Sequence, residues 1–218
     1  MRIVIAGGHG QIALLLEARL SADGHTVQGL LRRPDGAADL VAAGAEPVVF
    51  DLESATKESL AEVIRGADAV VFAAGAGGGS SAERKYTVDL GGSVLLADAA
   101  EAAGVRRFVQ ISSMGAGAPA SPGSDQTWVA YLDAKTKAED DLRPRDLDWT
   151  IIRPGGLLNT PGLGLVRLAP STGRGTIPRA DVADVLADVI EKRAAVRQTL
   201  ELVSGDTPIS QAVEAWKG

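Results

Sequence analysis

The chain has 218 residues, of which 45% are hydrophobic, and this length suffices to bury one substantial core. Acidic residues (28) outnumber basic ones (22), which argues against a nucleic-acid partner, and the absence of cysteine excludes disulfides and cysteine-ligated metals. With only two histidines, no metal site is predicted. Apolar runs are too short for a membrane span or a signal peptide, so we expect a cytoplasmic protein without a membrane partner.

The chain opens with a predicted strand, a glycine turn and a helix. Residues 3–5 form a β-branched run suited to a buried parallel strand, and apolar residues then recur at helical spacing. The glycines between them, with Ala13, fit both G-x-x-G-x-x-A and G-x-G-x-x-A, which allow a pyrophosphate to approach the N–H groups that begin the helix. An ordinary strand–helix turn is the alternative. Dinucleotide binding is predicted at Gly7, His9, Gly10, Gln11 and Ile12.

The second predicted strand, over residues 26–31, ends at Arg32 and Arg33. In a dinucleotide fold this position meets the adenosine ribose, where an acid binds the 2′-hydroxyl of NAD and an arginine accommodates the 2′-phosphate of NADP. The sequence offers two arginines and no acid here, so it favours NADP(H) and leaves NAD(H) open. A solvated basic pair is the alternative.

Strands and helices continue to alternate, with a short helix predicted over 39–43, a strand over 47–50, a helix over 57–65 and a strand over 68–74. Asp51 and Leu52 follow the third strand at the edge where ligands lie in such folds. We expect Asp51 either to bind the adenine amino group or to cap the following turn.

The fourth strand ends at the same edge, in small residues expected to contact the cofactor: Ala73, Ala74 and Gly75. A glycine loop over 75–79 follows, which either opens over a cofactor or serves as a linker. The helix predicted over 85–103 contains Gly91 and Gly92, each costing about 1 kcal/mol relative to alanine. The sheet or a cofactor must therefore approach this helix closely.

The second half repeats the alternation: a strand over 105–111, a loop over 115–124, a helix over 128–142, a strand over 149–152, an irregular stretch over 157–178, a helix over 181–192, a strand over 199–203 and a helix over 209–217. Pro154, just past the sixth strand, is expected at the cofactor. Long irregular stretches are usually functional, so the substrate region is placed mainly in 154–180. The pattern predicts one α/β domain over 1–218, a doubly wound parallel sheet.

Tyr131 and Lys135 lie four residues apart on a predicted helix and so share one face. The ammonium stabilises tyrosinate, so such a tyrosine can give a proton to a carbonyl oxygen or take one from an alcohol. Ser113, ending the fifth strand, is expected to hydrogen-bond the same oxygen, and Lys135 also to hold the nicotinamide ribose. The alternative is that Tyr131 packs and Lys135 is solvated, on a face that Lys137 and Glu139 make partly wet.

Four stretches carry a resemblance to a known family: 6–13, with Ala13 for the usual third glycine; 95–113; 152–155; and 178–183. With them, the chain resembles atypical, extended-type short-chain dehydrogenases/reductases, near the small NAD(P)H-binding, NmrA-like and biliverdin/flavin-reductase-like branch. The resemblance implies a Rossmann fold and NAD(P) as cofactor, with Ser113, Tyr131 and Lys135 at the catalytic positions. Asp89 stands where the family often has asparagine.

The first hypothesis is an NADP-dependent oxidoreductase acting on a small carbonyl or alcohol, as a monomer or homodimer. Its pocket is expected to be lined by Met114, Trp128, Leu157, Leu158 and Asn159. A second hypothesis is an NAD(P)-binding redox sensor of NmrA-like type. Further alternatives are a flavin- or biliverdin-type reductase, for which 4% aromatic residues give little support, and an epimerase-like enzyme, although the C-terminal region is short for a nucleotide sugar.

Overall fold

A nine-stranded sheet with helices on both faces builds the protein in the computed structural model, which describes residues 1–121 and 123–217. Pro122, which falls within the predicted loop over 115–124, and Gly218 lie outside the described residues. The strands are β1 (Arg2–Ala6), β2 (Thr26–Leu31), β3 (Glu46–Val49), β4 (Ala69–Phe72), β5 (Arg107–Ile111), β6 (Asp148–Pro154), β7 (Gly156–Leu158), β8 (Leu165–Ala169), β9 (Thr176–Pro178), β10 (Gln198–Ser204) and β11 (Thr207–Pro208). The helices are α1 (Gln11–Ala22), α2 (Ala37–Ala42), α3 (Lys57–Ile64), α4 (Ala82–Arg84), α5 (Gly92–Ala103), α6 (Gln126–Leu142), α7 (Arg179–Glu191) and α8 (Ile209–Glu214).

The main sheet has the strand order β11-β8-β10-β6-β5-β4-β1-β2-β3. All pairs from β10 to β3 are parallel, whereas β8 runs antiparallel to both β10 and β11 at one edge. The predicted doubly wound sheet is therefore confirmed, with an antiparallel edge that sequence patterns did not predict. Within the described ranges, no helix is both long and apolar enough to cross a membrane.

The first strand is buried on both faces, which explains its uninterrupted apolar sequence. Ile3 and Ile5 point into the core formed with α1 and α7, and Val4 and Ala6 into the core formed with α3 and α5. Because side chains alternate along a strand, four consecutive apolar residues serve two separate helical layers.

The sequence predicts one regular helix over 85–103, and this prediction is wrong for the first seven residues, which are not α-helical. A π-helical segment, Lys85–Gly91, separates α4 from α5. Such segments occur frequently at functional sites, and this one carries two buried charged residues, Lys85 and Asp89. The sheet is what approaches Gly92, since a Cβ on that glycine would lie 3.4 Å from the Phe72 ring.

The sequence predicts an irregular stretch over 157–178, which holds for 159–164 and 170–175 but is wrong for the three strands between and around them. β7 pairs with β9 in a small parallel sheet, and β8 joins the main sheet beside β10. These strands have three to five residues each and pair with partners distant in sequence, so local periodicity does not reveal them.

Glu17 of α1 is fully buried against the glycine turn, and neither carboxylate oxygen has a hydrogen-bond partner among the described residues. Burial raises the pKa of its carboxyl from 4.5 to about 8. Between about pH 4.5 and about pH 8 the folded protein therefore keeps a proton that the unfolded chain releases. The contribution of this bound proton to the free energy of unfolding is complete below about pH 4.5 and is lost as pH rises through about 8.

We expect the free energy of unfolding to fall by about 2–4 kcal/mol from this group between about pH 5 and about pH 8.5. Glu17→Gln should flatten that part of the profile, because its amide does not ionise. Urea unfolding of both proteins at the two pH values measures the difference, and parallel profiles would contradict the expectation.

Candidate active site

A cleft of about 1400 Å³ runs along the carboxyl ends of the parallel strands. It lies where the strand order reverses, since β1 has β2 on one side and β4 on the other, and this is where ligands bind in such sheets. Its lining contains these predicted site residues: Gly7, His9, Gly10, Arg32, Arg33, Asp51, Leu52, Ala73, Ala74, Gly75, Ser113, Tyr131, Lys135 and Pro154. Gln11 and Ile12 begin α1 beside the cleft but are not part of that lining.

The glycine turn fits a phosphate group. Gly7 has a φ of +87°, and a Cβ on it would lie 2.5 Å from Ala74 Cα, so the turn presses its backbone against the end of β4. α1 has no side-chain cap and no acidic residue in its first turn. The N–H groups that begin the helix, including those of Gln11 and Ile12, are therefore available to an anion.

The end of the cleft formed by the segments after β2 and β3, where the sequence predicts the adenosine ribose, contains an acid that the sequence analysis did not predict there. Glu53, in the loop after β3, accepts hydrogen bonds from Arg84 Nη2 at 2.5 Å and Thr87 Oγ1 at 2.7 Å, and lies 3.3 Å from Arg32 Nη1. The hydrogen bonds from Arg84 and Thr87 lower the pKa of Glu53 to about 2, so it is a carboxylate. The prediction that this end of the cleft has two arginines and no acid is therefore wrong, because the fold brings Glu53 next to Arg32. Arg33 is exposed and lies 3.8 Å from Asp35.

Two other residues predicted at this end have partners within the chain. Asp51 Oδ1 accepts the N–H of Glu53 at 3.0 Å, which is the turn-capping role that the sequence left open. His9 Nε2 lies 2.7 Å from Asp39 Oδ2 at the exposed rim. Both residues still line the cleft.

Ser113, Tyr131 and Lys135 reach the other half of the cleft from β5 and α6. Lys135 is buried, with Nζ 3.2 Å from Asp89 Oδ1 and 3.3 Å from the carbonyl oxygen of Ile111. Ser113 Oγ donates to the Met114 carbonyl at 3.3 Å. Within residues 1–121 and 123–217 the Tyr131 hydroxyl has no hydrogen bond, so it can serve a ligand.

A second buried lysine, Lys85, was not predicted. Its Nζ donates to the Gly77 carbonyl at 2.7 Å and lies 5.6 Å from the centroid of the Tyr131 ring, compared with 5.7 Å for Lys135 Nζ. Asp89 also accepts the N–H of Ala76 at 3.0 Å, so the glycine loop over 75–79 is tied to the π-helical segment at two points. The irregular helical phase hides this arrangement from a periodicity analysis.

The alternative that Glu139 makes the helical face of Tyr131 and Lys135 partly solvent-exposed is wrong. Glu139 is fully buried, where it accepts hydrogen bonds from Ser112 Oγ at 2.5 Å and from Arg153 Nε at 2.9 Å. It thereby fixes α6 against the ends of β5 and β6. Lys137, unlike Glu139, is largely exposed, and it lies on a different face of α6 from Tyr131 and Lys135.

Of the residues expected around the substrate, Trp128 and Leu157 line the cleft, whereas Met114, Leu158 and Asn159 do not. Arg179, the first residue of α7, lines it and was not predicted. Asn159 Oδ1 accepts a hydrogen bond from Arg179 Nη1 at 2.6 Å. β7 and β9 bring these two residues together, so no local sequence signal predicts their contact.

Known proteins resemble the chain along nearly its whole length. A family model described as NAD(P)H-binding matches residues 7–193. The chain is 34% identical over 219 residues to an uncharacterized sugar epimerase, YhfK, of Bacillus subtilis, covering 98% of this chain and 99% of the relative. The structure of a candidate NAD-dependent epimerase/dehydratase from Bacillus halodurans has a TM-score of 0.91 at 34% identity and covers 99% of both chains. The oxidoreductase ylbE of Lactococcus lactis has a TM-score of 0.85 at 28% identity, over 99% of this chain and 96% of that one.

Proposed function

The chain belongs to the NAD(P)H-binding family, and from this membership we propose that it is an NADP(H)-preferring oxidoreductase acting on a small carbonyl compound or alcohol. The observation that carries the proposal is that Ser113, Tyr131 and Lys135 line one cleft with the glycine turn. Dehydrogenase chemistry needs this juxtaposition of an acid–base group and a nucleotide site.

The residues proposed to hold the cofactor divide along the cleft. The glycine turn with the start of α1 takes the diphosphate, and Arg32 and Arg33 take the 2′-phosphate. Lys135 takes the nicotinamide ribose. Further contacts are proposed from His9, Asp51, Leu52, Ala73, Ala74, Gly75 and Pro154. When bound, the nicotinamide supplies a hydride to a carbonyl carbon or accepts one from an alcohol.

The chain's own residues handle the proton. Tyr131 gives its hydroxyl proton to the carbonyl oxygen, and Ser113 Oγ donates a hydrogen bond to the same oxygen. The ammonium groups of Lys135 and Lys85 lie 5.7 and 5.6 Å from the centroid of the tyrosine ring and stabilise the tyrosinate that remains. Asp89 keeps Lys135 in place through their 3.2 Å contact.

NADPH consumption against a panel of small aldehydes, quinones, flavins and sugar nucleotides tests the proposal. We expect consumption with a small aldehyde. An epimerase is the second candidate, favoured by the names of the relatives, and it would interconvert a sugar nucleotide with no net consumption. Consumption with flavin alone would support a flavin reductase, and tight NADPH binding with no turnover on the panel would support a sensor.

Arg32→Ala should weaken NADPH binding about ten- to a hundredfold and barely change NADH binding. The reason is the loss of a charge-assisted hydrogen bond to the 2′-phosphate, which is worth about 1.5–3 kcal/mol. Calorimetric titration with both nucleotides measures this, and Arg174→Ala, in an exposed loop away from the cleft, is the matched control. Equal weakening of both nucleotides, or a wild-type preference for NADH, would contradict the assignment.

Glu53→Gln tests the same end of the cleft by removing the negative charge that lies next to Arg32. In the wild type the Glu53 carboxylate and a 2′-phosphate would share Arg32. Removing the negative charge of Glu53 should therefore strengthen NADPH binding about two- to tenfold. If Glu53 instead accepts the 2′-hydroxyl of NAD, the variant will lose NADH affinity. The two outcomes point in opposite directions in one titration.

A further inference from the structure

The substrate half of the cleft contains three basic side chains, Lys85, Lys135 and Arg179, and among the described residues only Lys135 has a carboxylate partner, Asp89, at 3.2 Å. At the ribose end, Arg32 and Arg84 both contact the carboxylate of Glu53, at 3.3 and 2.5 Å. In the other half, Lys85 and Arg179 line the cleft, and neither has a carboxylate within 4.0 Å in the part of the chain that the structure describes. Charges in a partly enclosed cleft are weakly screened, so an uncompensated pair attracts an anion.

Arg179 is positioned by the small sheet of β7 and β9. Pro178, which ends β9, is in register with Leu158 of β7, so Arg179 follows directly beside the segment after β6. Its one described hydrogen bond goes to the neutral Asn159 amide at 2.6 Å. A guanidinium has five N–H donors, so this contact orients the side chain and leaves most donors and the full charge available.

Two other acids near this half of the cleft, Asp181 and Asp125, already accept hydrogen bonds from backbone N–H groups. Asp181 is fully buried in α7, and it accepts the N–H groups of Leu163 and Gly164 at 3.0 and 2.9 Å. Asp125 caps α6 by accepting the N–H groups of Thr127 and Trp128 at 2.8 and 3.2 Å. Neither carboxylate forms an ion pair with Arg179 among the described residues.

We propose that Arg179 binds an anionic group of the substrate, so that the substrate is a carbonyl compound, or the corresponding alcohol, that also bears a carboxylate. The planar guanidinium matches a carboxylate in two parallel hydrogen bonds, and Lys85 adds positive potential beside Tyr131, 5.6 Å from its ring centroid. This inference rests on the proposed function, since it names the class of molecule that Tyr131 would protonate.

Two matched pairs of probes test it: 4-carboxybenzaldehyde with its methyl ester, and succinic semialdehyde with its methyl ester. Calorimetric binding is measured with NADP⁺ present, so that no hydride is available for reduction, and NADPH turnover is measured separately. Wild type should bind the acids about ten- to a hundredfold more tightly than the esters. Arg179→Gln should lose this preference with NADPH affinity unchanged, Arg179→Lys should keep part of it, and the exposed Arg174→Gln should keep all of it.

Equal binding of acids and esters, no binding of either acid to wild type, or an unchanged preference in Arg179→Gln would overturn the inference. So would a loss of NADPH affinity in that variant, because Arg179 would then serve the cofactor. Acids that bind through Arg179 without turnover would support the anion site while counting against the oxidoreductase proposal. Equal turnover of acids and esters would support the oxidoreductase proposal while counting against the anion site at Arg179.

Discussion

Replacing Tyr131 by phenylalanine should lower carbonyl reduction by about 10²–10⁴-fold and leave NADPH binding nearly unchanged, because only the proton donor is removed. The ring should stay in place, since its packing against Trp128, with centroids 5.3 Å apart, does not involve the hydroxyl. Steady-state kinetics with the best aldehyde of the panel, together with an NADPH titration, separate the two effects. Lys135→Met should impair both, because the lysine is proposed to serve the ribose as well as the tyrosine.

The chain contains a matched control for this substitution. Tyr86 is the other tyrosine, and its hydroxyl donates to Asp133 at 2.8 Å outside the cleft lining. Tyr86→Phe should therefore turn over substrate at the wild-type rate. If Tyr131→Phe does so too, the tyrosine is not the acid, and hydride transfer without a tyrosine proton donor becomes the better explanation.

Gly10→Val should weaken NADP(H) binding by about a hundredfold or more while the protein stays folded. A Cβ on Gly10 would lie 3.2 Å from the Gly7 carbonyl oxygen and 3.8 Å from Ala13 Cβ, so the turn accommodates a side chain with a small shift. The valine methyl groups would then stand in front of the N–H groups that begin α1. Losing even one such charge-assisted hydrogen bond costs about 1.5–3 kcal/mol.

Calorimetry and thermal unfolding distinguish loss of binding from loss of folding. Ala18→Val, on the exposed side of α1, controls for a β-branched residue in this helix and should leave NADPH affinity unchanged. Gly7→Val should fail in the other way, through unfolding, because its backbone has a φ of +87° and its Cβ would collide with Ala74. Unchanged NADP(H) affinity in folded Gly10→Val would refute the proposed phosphate position.

The fold was predictable because its signals are local. The β-branched run at Ile3, the glycines at Gly7 and Gly10, and the helical spacing that follows each reflect the conformation of a few adjacent residues. Repeating strand and helix signals then determine a doubly wound sheet, since parallel strands need helical crossovers. Residues that end strands could likewise be assigned to one edge, where Ser113 and Asp51 both lie.

The charges that complete the cleft depended on tertiary structure. Glu53 meets Arg84 across 31 positions of the chain, and Arg179 meets Asn159 across 20. Glu139 has a charged sequence neighbourhood and looks solvated, yet the strand ends place Ser112 and Arg153 around it. By itself the sequence determined the layered sheet, the glycine turn and the edge on which a ligand lies, because short-range geometry encodes them. Which charges are neutralised, and which remain for a ligand, was decided by pairing between distant segments, because electrostatic interaction depends on distance in space and not along the chain.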